Sequence, residues 1–220
     1  MGGVSRFLLW TIDETSGFDT AWAKIDDARL TAEGRVAALL PRPHWLTYRF
    51  ASGDRYVTEL MQVEARWDGG SAHLELRRGA GHDGRWSVNG EPRPDLDDAL
   101  DCDLAGCPLT NTMPIRRHRF HHENGDREFL MAFIEVPSLR VVTSHQRYTH
   151  VGRLDSGDAI VRYRSGSFVS DLRVDADGFV VDYPQLGRRV EPTRPRAGVR
   201  AAGPGSIRPE GHAREGEPDG

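Results

Sequence analysis

The chain has 220 residues, of which 38% are hydrophobic, and it carries a formal net charge of −4. That length can hold one good hydrophobic core or two small ones, and no run approaches the roughly 20 apolar residues of a membrane span. The acidic balance argues against a nucleic-acid partner, because nucleic-acid-binding domains usually carry a basic excess.

The N-terminal segment predicts a cytoplasmic protein. Its apolar run at residues 7–10 is followed at once by Asp13 and Glu14, which makes it too short and too acidic for a signal peptide. In a reducing compartment we expect Cys102 and Cys107 to be free thiols, and they lack the further Cys or His partners of a zinc site.

Alternation of apolar and polar residues dominates the chain up to about residue 190. Met61 and Val63 fall on one face of an extended segment, and Gln62 and Glu64 fall on the other, which is typical of a half-exposed β-strand. The same pattern predicts strands at residues 44–51, 61–67, 72–77, 140–148, 159–164, 168–174 and 179–183. A further strand at 129–136 is apolar on both faces and is predicted to lie centrally, covered on both sides.

Turn signals separate these strands and predict consecutive antiparallel hairpins. They occur at residues 52–54, 68–70, 89–90, 124–126 and 175–178. Short helical turns are expected only at 95–100 and 109–113. Residues 79–84 match the letters GxGxxG, but a strand-like segment follows them instead of a helix, so we interpret them as a glycine-rich turn and not as a dinucleotide site.

Two segments of the chain resemble each other. Residues 48–64 find counterparts in residues 163–175, with Tyr48-Arg49 answered by Tyr163-Arg164 and a Ser-Gly pair in each. We interpret this match as a duplication. The sequence therefore predicts a mainly β fold, with a strongly curved antiparallel sheet that forms an open or half barrel from two duplicated meanders.

The predicted domain organisation follows from this repeat and from the composition of the C-terminal end. One β domain spans residues 1–190, with halves at about 1–105 and 106–190. Residues 191–220 lack aromatic residues and are rich in Gly, Pro and charged residues. They are predicted to form a disordered tail, because they cannot bury enough apolar area to offset the entropy of ordering.

Residues 102–120 are polar, turn-forming and cationic between long strand patterns, which favours a segment that presents its groups. Arg116 and Arg117 are candidates for binding phosphate, carboxylate or sugar oxygens, because guanidinium offers a planar fork of donors. If this piece is extended, the two arginines point to opposite faces. The alternative is that they form ion pairs with one of three acidic residues, Asp101, Asp103 and Glu135.

Catalytic and metal-binding patterns are weak in this sequence. His118, His121 and His122 run into a turn at Asn124 and suit a solvated loop better than a metal site. Asp101 and Asp103 would share a face if extended, as a carboxylate pair for acid–base work would, but such acids more often pair with arginines. Nucleophile-elbow, Walker and metalloprotease motifs are absent from the sequence, so we predict no cofactor and no metal.

Two motifs resemble those of a bacterial family described as putative glycolipid-binding proteins. The first is CPLTNTMPIRR at residues 107–117, and the second is the stretch 167–184, with Gln146-Arg147-Tyr148 between them. The resemblance covers residues 8–190. It implies a fold similar to the lipoprotein carriers LolA and LolB, in which a curved, incomplete barrel holds an apolar cavity for acyl chains. Two positions depart from the family pattern near the pocket rim, at His118 and at the stretch after Tyr183.

The functional expectation is a non-enzymatic protein that holds a lipid or glycolipid in an apolar cavity of the sheet. Its polar head group would meet residues at the cavity mouth, namely Thr110, Asn111, Thr112, Arg116, Arg117, Gln146, Tyr148 and Tyr183. One alternative is an enzyme for an anionic or sugar-containing small molecule, with Asp101, Asp103 or His118 as proton-transfer groups. Another is a scaffold whose barrel is fully packed.

Overall fold

A single long and curved β-sheet dominates the structure, a computed structural model that describes residues 3–79 and 84–192. Within those residues the sheet has fifteen strands and stays unclosed, and the only α-helix, α1, is short and spans Thr112–Arg117. The predicted mainly β fold with an open, curved sheet is confirmed. The strands are β1 Val4–Ile12, β2 Gly17–Ile25, β3 Leu30–Ala38, β4 His44–Ser52, β5 Thr58–Trp67, β6 Gly70–Arg78, β7 Trp86–Val88, β8 Glu91–Pro92, β9 Asp101–Leu104, β10 Asp126–Ile134, β11 Val141–Arg153, β12 Ala159–Ser165, β13 Phe168–Val174, β14 Val180–Tyr183 and β15 Gly187–Arg189. Short 3-10 turns lie at Asp54–Tyr56, Pro94–Leu96 and Pro108–Asn111.

Two meanders make up the sheet and meet at its middle. Strands β1 to β8 lead outwards in chain order to one edge, β9 to β15 lead inwards from the other edge, and β1 pairs with β15. Neighbours are antiparallel except β9 and β10, which are parallel. The two edge strands, β8 and β9, are therefore consecutive in the chain. The link between them, residues 93–100, contacts the second meander, where Arg93 donates to the backbone carbonyl oxygen of Val141 at 3.2 Å.

The strands with clear alternation form as predicted. In β5, Met61 and Val63 are buried while Glu64 is exposed, and β13 has the predicted bounds of 168–174. The apolar segment in β10 is covered on both faces, with Ala132 in one hydrophobic cluster and Met131 in another. However, β10 lies beside the edge strand β9 and not at the centre of the sheet.

The hairpin turns follow the sequence signals in most places. Asn89 and Gly90 both have positive φ, at 52° and 86°, as a type I′ turn between β7 and β8 requires. The signal at 124–126 was interpreted wrongly: it precedes β10, whose predecessor β9 runs parallel to it, so it does not form a hairpin. Most of the glycine-rich stretch 79–84, and the predicted tail beyond residue 192, lie outside the described residues.

Most of the segment 102–120 is buried, with only Arg119 exposed, which contradicts the prediction that it presents its groups. Every residue from Cys107 to Ile115 is buried, and Met113 and Ile115 are completely inaccessible to solvent. Leu109 and Met113 pack in the same hydrophobic cluster as strands of the first meander, while Ile115 packs with the second. The segment thus contributes to both hydrophobic clusters of the sheet. Cys102 and Cys107 are separate buried thiols within it.

Candidate functional site

The C-terminal end of α1 lies at one rim of the sheet, where Arg116 joins three turns. Its guanidinium donates to the hydroxyl of Tyr56, with Nη2 at 2.6 Å, and to the backbone carbonyl oxygens of Asp26 and Asp177 at 3.0 and 3.3 Å. The contact with the last turn is close: a Cβ at Gly178 would lie 2.9 Å from the Arg116 side chain, and Gly178 has a φ of 80°. Arg116 therefore holds three turns together at the rim, and its described hydrogen bonds all go to groups of the protein.

Arg117 points the other way, into the protein, and forms a buried ion pair with Asp101 on β9. The two side chains are 2% and 1% exposed. A single nitrogen, Nη2, contacts both carboxylate oxygens, so the bidentate fork of the guanidinium is not used. The pairing with Asp101 was one of the alternatives that the sequence left open. The segment is helical here and not extended, but the side chains of Arg116 and Arg117 still point in different directions.

The remaining nitrogens of Arg117 are the most unusual polar atoms in this region. Nε and Nη1 are buried and have no hydrogen-bond partner among the described residues. A buried donor without a partner costs about 1–3 kcal/mol, so native structures satisfy nearly all of them. These two nitrogens therefore require an explanation beyond the ion pair with Asp101.

A cleft of about 560 Å³ lies directly beside Arg117. Its walls come from the turn between β2 and β3, the 3-10 turn after β4, the end of β6, the residue before β9 and the end of α1. The described residues that line it are Arg29, Gly53, Asp54, Arg55, Val57, Glu59, Arg78, Gly79, Leu100, Arg117 and His118. We call it the rim cleft. Most of its lining surface is apolar, although four arginines contribute side chains to it.

Burial and nearby cations set the ionisation of the groups around the rim cleft. Burial raises the pKa of Asp101 to about 6, against the lowering effect of Arg117. Burial and the positive charges of Arg117 and Arg55 lower the pKa of His118 to about 4. At neutral pH the His118 imidazole is uncharged. The rim cleft thus combines apolar surface with four guanidinium groups, the carboxylates of Asp54 and Glu59, and one neutral imidazole.

A second set of predicted residues forms a buried hydrogen-bond network behind the cleft. Thr110 donates its hydroxyl to Asp103 at 2.7 Å, and Gln146 donates its amide to the same carboxylate at 2.6 Å. Tyr148 donates its hydroxyl to Asn111 Oδ1 at 2.9 Å and lies 3.1 Å from Gln146 Oε1. The network ties the 3-10 turn before α1 to the long strand β11, so these polar groups satisfy one another.

The other two predicted residues lie apart from this network. Thr112 is fully buried, and its hydroxyl has no partner among the described residues. Tyr183 is 5% exposed and packs in an aromatic cluster with Tyr163 and Phe168, at ring-centroid distances of 5.9 and 6.3 Å. Of the eight predicted site residues, only Arg117 lines the rim cleft.

Sequence reasoning missed Arg55 and Arg78 as cleft residues. Arg78 had a usable signal, because it follows Leu74 and Leu76 in the inward phase of β6 and is 4% exposed. It donates to the backbone carbonyl oxygen of Ala99 at 3.2 Å. Arg55 had no pattern to reveal it, since it lies in a turn, with a positive φ of 56°.

Two broader properties of the described residues bear on function. Among residues 3–79 and 84–192, no helix is long and apolar enough to cross a bilayer. In the same part of the chain, no group of three or more His, Cys, Asp or Glu side chains is arranged to hold a metal ion.

The comparison with protein families decides what this chain belongs to. Residues 7–189 match the model of a family described as “Putative glycolipid-binding”, which is most of the chain. The chain belongs to this family. A search of curated proteins found no match.

A solved structure with a similar fold supports the architecture. The chain is similar to the crystal structure of a DUF1089 family protein from Pseudomonas aeruginosa, with 29% identity and a TM-score of 0.64. The match covers 79% of this chain and 92% of the other. Family membership thus extends over both meanders and over α1, which carries Arg116 and Arg117.

Proposed function

We propose that the protein is a non-enzymatic binder of an amphiphile, a lipid or glycolipid, whose polar head group lies against Arg117 in the rim cleft. The observation that carries the proposal is the pair of buried nitrogens of Arg117 that lack a partner beside this cleft. An oxygen of a phosphate, a carboxylate or a sugar hydroxyl can accept from Nε or from Nη1, which point in different directions because Cδ lies between them on the guanidinium.

The size and surface of the rim cleft support an amphiphilic ligand. Its volume of about 560 Å³ falls within the roughly 300–1,000 Å³ of ordinary small-molecule sites. Its lining is mainly apolar, with Val57 and Leu100 beside the arginines. Apolar surface of this kind favours a hydrocarbon chain, and the guanidinium groups favour the head group. The proposed head-group position is therefore the rim cleft and not the buried Thr110–Thr112 segment expected from the sequence.

The family description and the architecture agree with this proposal. The family is described as glycolipid-binding, and an open, curved sheet is the architecture expected from the resemblance to LolA and LolB. We retain the likeness to those carriers as part of the proposal. The cytoplasm is the proposed location, because the two cysteines are free thiols, which reducing compartments maintain.

Native mass spectrometry and calorimetric titration test the proposal with two chosen amphiphiles. Dodecyl maltoside has a sugar head and lysophosphatidylglycerol an anionic one, and maltose serves as the control without a chain. We expect at least one amphiphile to bind with a Kd of about 1–100 μM, equivalent to roughly −8 to −5 kcal/mol. Binding of neither amphiphile in that range contradicts the proposal.

A variant that fills the rim cleft locates the site. Val57→Trp places a large side chain in the cleft, and Val151→Trp is the matched control, because Val151 lies in β11 and is 49% exposed. We expect Val57→Trp to weaken amphiphile binding by roughly ten-fold or more, as steric loss of a buried contact does. Unchanged affinity in a folded Val57→Trp protein excludes the rim cleft as the site.

The enzyme alternative keeps one observation in its favour. His118 lines the rim cleft and is neutral at pH 7, as a general base must be. Asp101 and Asp103, the other groups considered, are both buried and hydrogen-bonded to protein partners. Activity screening of the wild type against His118→Ala and Asp103→Asn decides the matter: turnover that either change removes favours the enzyme.

A further inference from the structure

A groove of about 770 Å³ crosses the outer face of the first meander, on the opposite side of the sheet from α1. It is formed by outward-facing side chains of β1 to β6 and is separate from the rim cleft, since the two share no lining residue. We call it the outer groove.

The strand register explains why a groove forms there. One row of outward side chains runs through Trp22, Glu33 and Arg49, which are paired across β2, β3 and β4. The next row runs through Arg35 and a threonine to Glu64, two residues further along each strand. Side chains two residues apart on a strand are separated by roughly 7 Å, so the two rows form walls with backbone as the floor.

An exposed aromatic pair closes one end of the outer groove. Phe7 and Trp22 face each other across β1 and β2, with ring centroids 4.9 Å apart, and they are 53% and 63% exposed. Large aromatic rings held open to solvent on a polar face are unusual, because each leaves much apolar area in contact with water. A ring face carries partial negative charge, which suits C–H groups that bear partial positive charge.

The polar side chains along the walls are balanced in charge and largely available. Two glutamates, Glu33 and Glu64, oppose two arginines, Arg35 and Arg49, so the groove favours neither an anion nor a cation. Glu33 and Arg49 form an exposed ion pair at 3.3 Å, whereas Arg35 and Glu64 form no ion pair among the described residues. The guanidinium groups donate hydrogen bonds and the carboxylates accept them. Groups of both types side by side suit a ligand with adjacent hydroxyl groups, because each hydroxyl both donates and accepts.

We propose that the outer groove is a binding site for a neutral saccharide, with one sugar ring on Trp22 and the next contacting Arg35 and Glu64. This site is independent of the proposed amphiphile site, because it requires no hydrocarbon chain and does not involve Arg117. The apolar C–H face of a pyranose ring meets the indole, and its equatorial hydroxyls reach the two rows of polar side chains.

Nuclear magnetic resonance titration tests the proposal directly on the full-length protein. The probes are maltotriose, mannotriose, trehalose and lactose, each raised to about 10 mM, which detects a Kd in the millimolar range. The chain has five tryptophans, and the indole N–H signal of Trp22 is assigned by its loss in Trp22→Ala. We expect at least one probe to shift the Trp22 signal while the Trp45 signal stays in place.

Matched variants separate a site from general surface adhesion. Trp45 lies on the same outer face, is 49% exposed and does not line the outer groove, so Trp45→Ala is the control for Trp22→Ala. We expect Trp22→Ala to weaken binding by roughly ten-fold or more, Glu64→Gln to weaken it several-fold, and Trp45→Ala to leave it unchanged. The proposal is overturned if none of the four saccharides shifts the Trp22 signal. It is also overturned if Trp22→Ala and Trp45→Ala weaken saccharide binding equally.

The outcome for the outer groove is distinguishable from the outcome for the rim cleft. Val57→Trp, which fills the rim cleft, is expected to leave saccharide binding intact, and Trp22→Ala is expected to leave binding of lysophosphatidylglycerol intact. If Val57→Trp also abolishes the shift of the Trp22 signal, the outer groove is not an independent site.

Discussion

Breaking the buried pair between Arg117 and Asp101 is expected to destabilise the protein strongly. Both side chains are almost completely removed from solvent, at 2% and 1% exposure. Replacing Arg117 with Met leaves the Asp101 carboxylate buried without its cation, and replacing Asp101 with Leu leaves the cation buried without its anion. For pairs of this kind, removal of one partner costs about 3–5 kcal/mol.

The double variant gives the opposite expectation. When Arg117→Met and Asp101→Leu are combined, no charge remains uncompensated, and apolar groups of similar volume fill the space. Such replacements are close to neutral or stabilising in other proteins. We therefore expect the double variant to recover most of the loss, with a coupling free energy of about 6–10 kcal/mol between the two sites, because two losses of about 3–5 kcal/mol each are replaced by a cost near zero.

Urea unfolding followed by tryptophan fluorescence measures these differences, and a surface pair provides the control. Arg162 and Asp171 form a two-pronged ion pair across β12 and β13, but their side chains are 38% and 43% exposed. Arg162→Met should cost only about 0–1 kcal/mol. If Arg117→Met costs no more than Arg162→Met, the ion pair with Asp101 does not hold α1 in place and the reasoning fails.

Three further changes have defined outcomes. Burial raises the pKa of Asp19 from 3.8 to about 7, so the folded state holds its proton more tightly than the unfolded state does. The stability conferred by this protonation is lost as pH rises from about 4 to 7, by up to about 4 kcal/mol. Urea unfolding across that range should show a free energy of unfolding that depends less on pH in Asp19→Asn than in the wild type. Gly34→Ala places a Cβ 2.1 Å from the Tyr48 ring and should cost about 1–3 kcal/mol in thermal unfolding, whereas a loss below half a kcal/mol would mean that the ring moves aside freely. Tyr148→Phe removes the donor to Asn111 and should lower the free energy of unfolding by about 1–3 kcal/mol; an unchanged midpoint would show that the network is not needed.

The strands that the sequence predicted are those with the strongest alternation. β13 and β12 were located almost to the residue, because Val, Ile, Tyr and Leu alternate there with charged side chains. β2 and β3 were missed. Their inward positions carry Ala21, Ala23, Gly34 and Asp19, residue types with low β propensity that offer little apolar contrast.

The burial of residues 102–120 could not be predicted from local composition. The segment carries Thr110 and Asn111, which are usually exposed, but their partners Asp103 and Tyr148 come from β9 and β11. A polar side chain is buried readily once it is hydrogen-bonded, and those partners are supplied only by the fold. The rim cleft was missed for the same reason, since five separate parts of the chain form it.

Charged residues in the inward phase of a strand were the best unused signal. Asp19 in β2 and Arg78 in β6 both occupy positions that alternation assigns to the core, and both are buried. A buried charge is expensive unless it is paired or neutralised, so each marks a place where the fold supplies something specific. Arg78 lines the rim cleft, and the buried carboxyl group of Asp19 accepts a hydrogen bond from the Tyr48 hydroxyl at 3.1 Å.

Arg117 links the stability of the fold to the proposed binding of an amphiphile. Its Nη2 holds Asp101, which fixes α1 against the sheet, and its Nε and Nη1 remain for another partner. A ligand that accepts from these nitrogens removes a desolvation penalty that the free protein bears, so part of its binding energy stabilises the same ion pair. A ligand present at 100 times its Kd would raise the free energy of unfolding by about 2.7 kcal/mol. Because Arg116 is fully engaged with three turns at the rim, this linkage depends on Arg117 alone of the two neighbouring arginines.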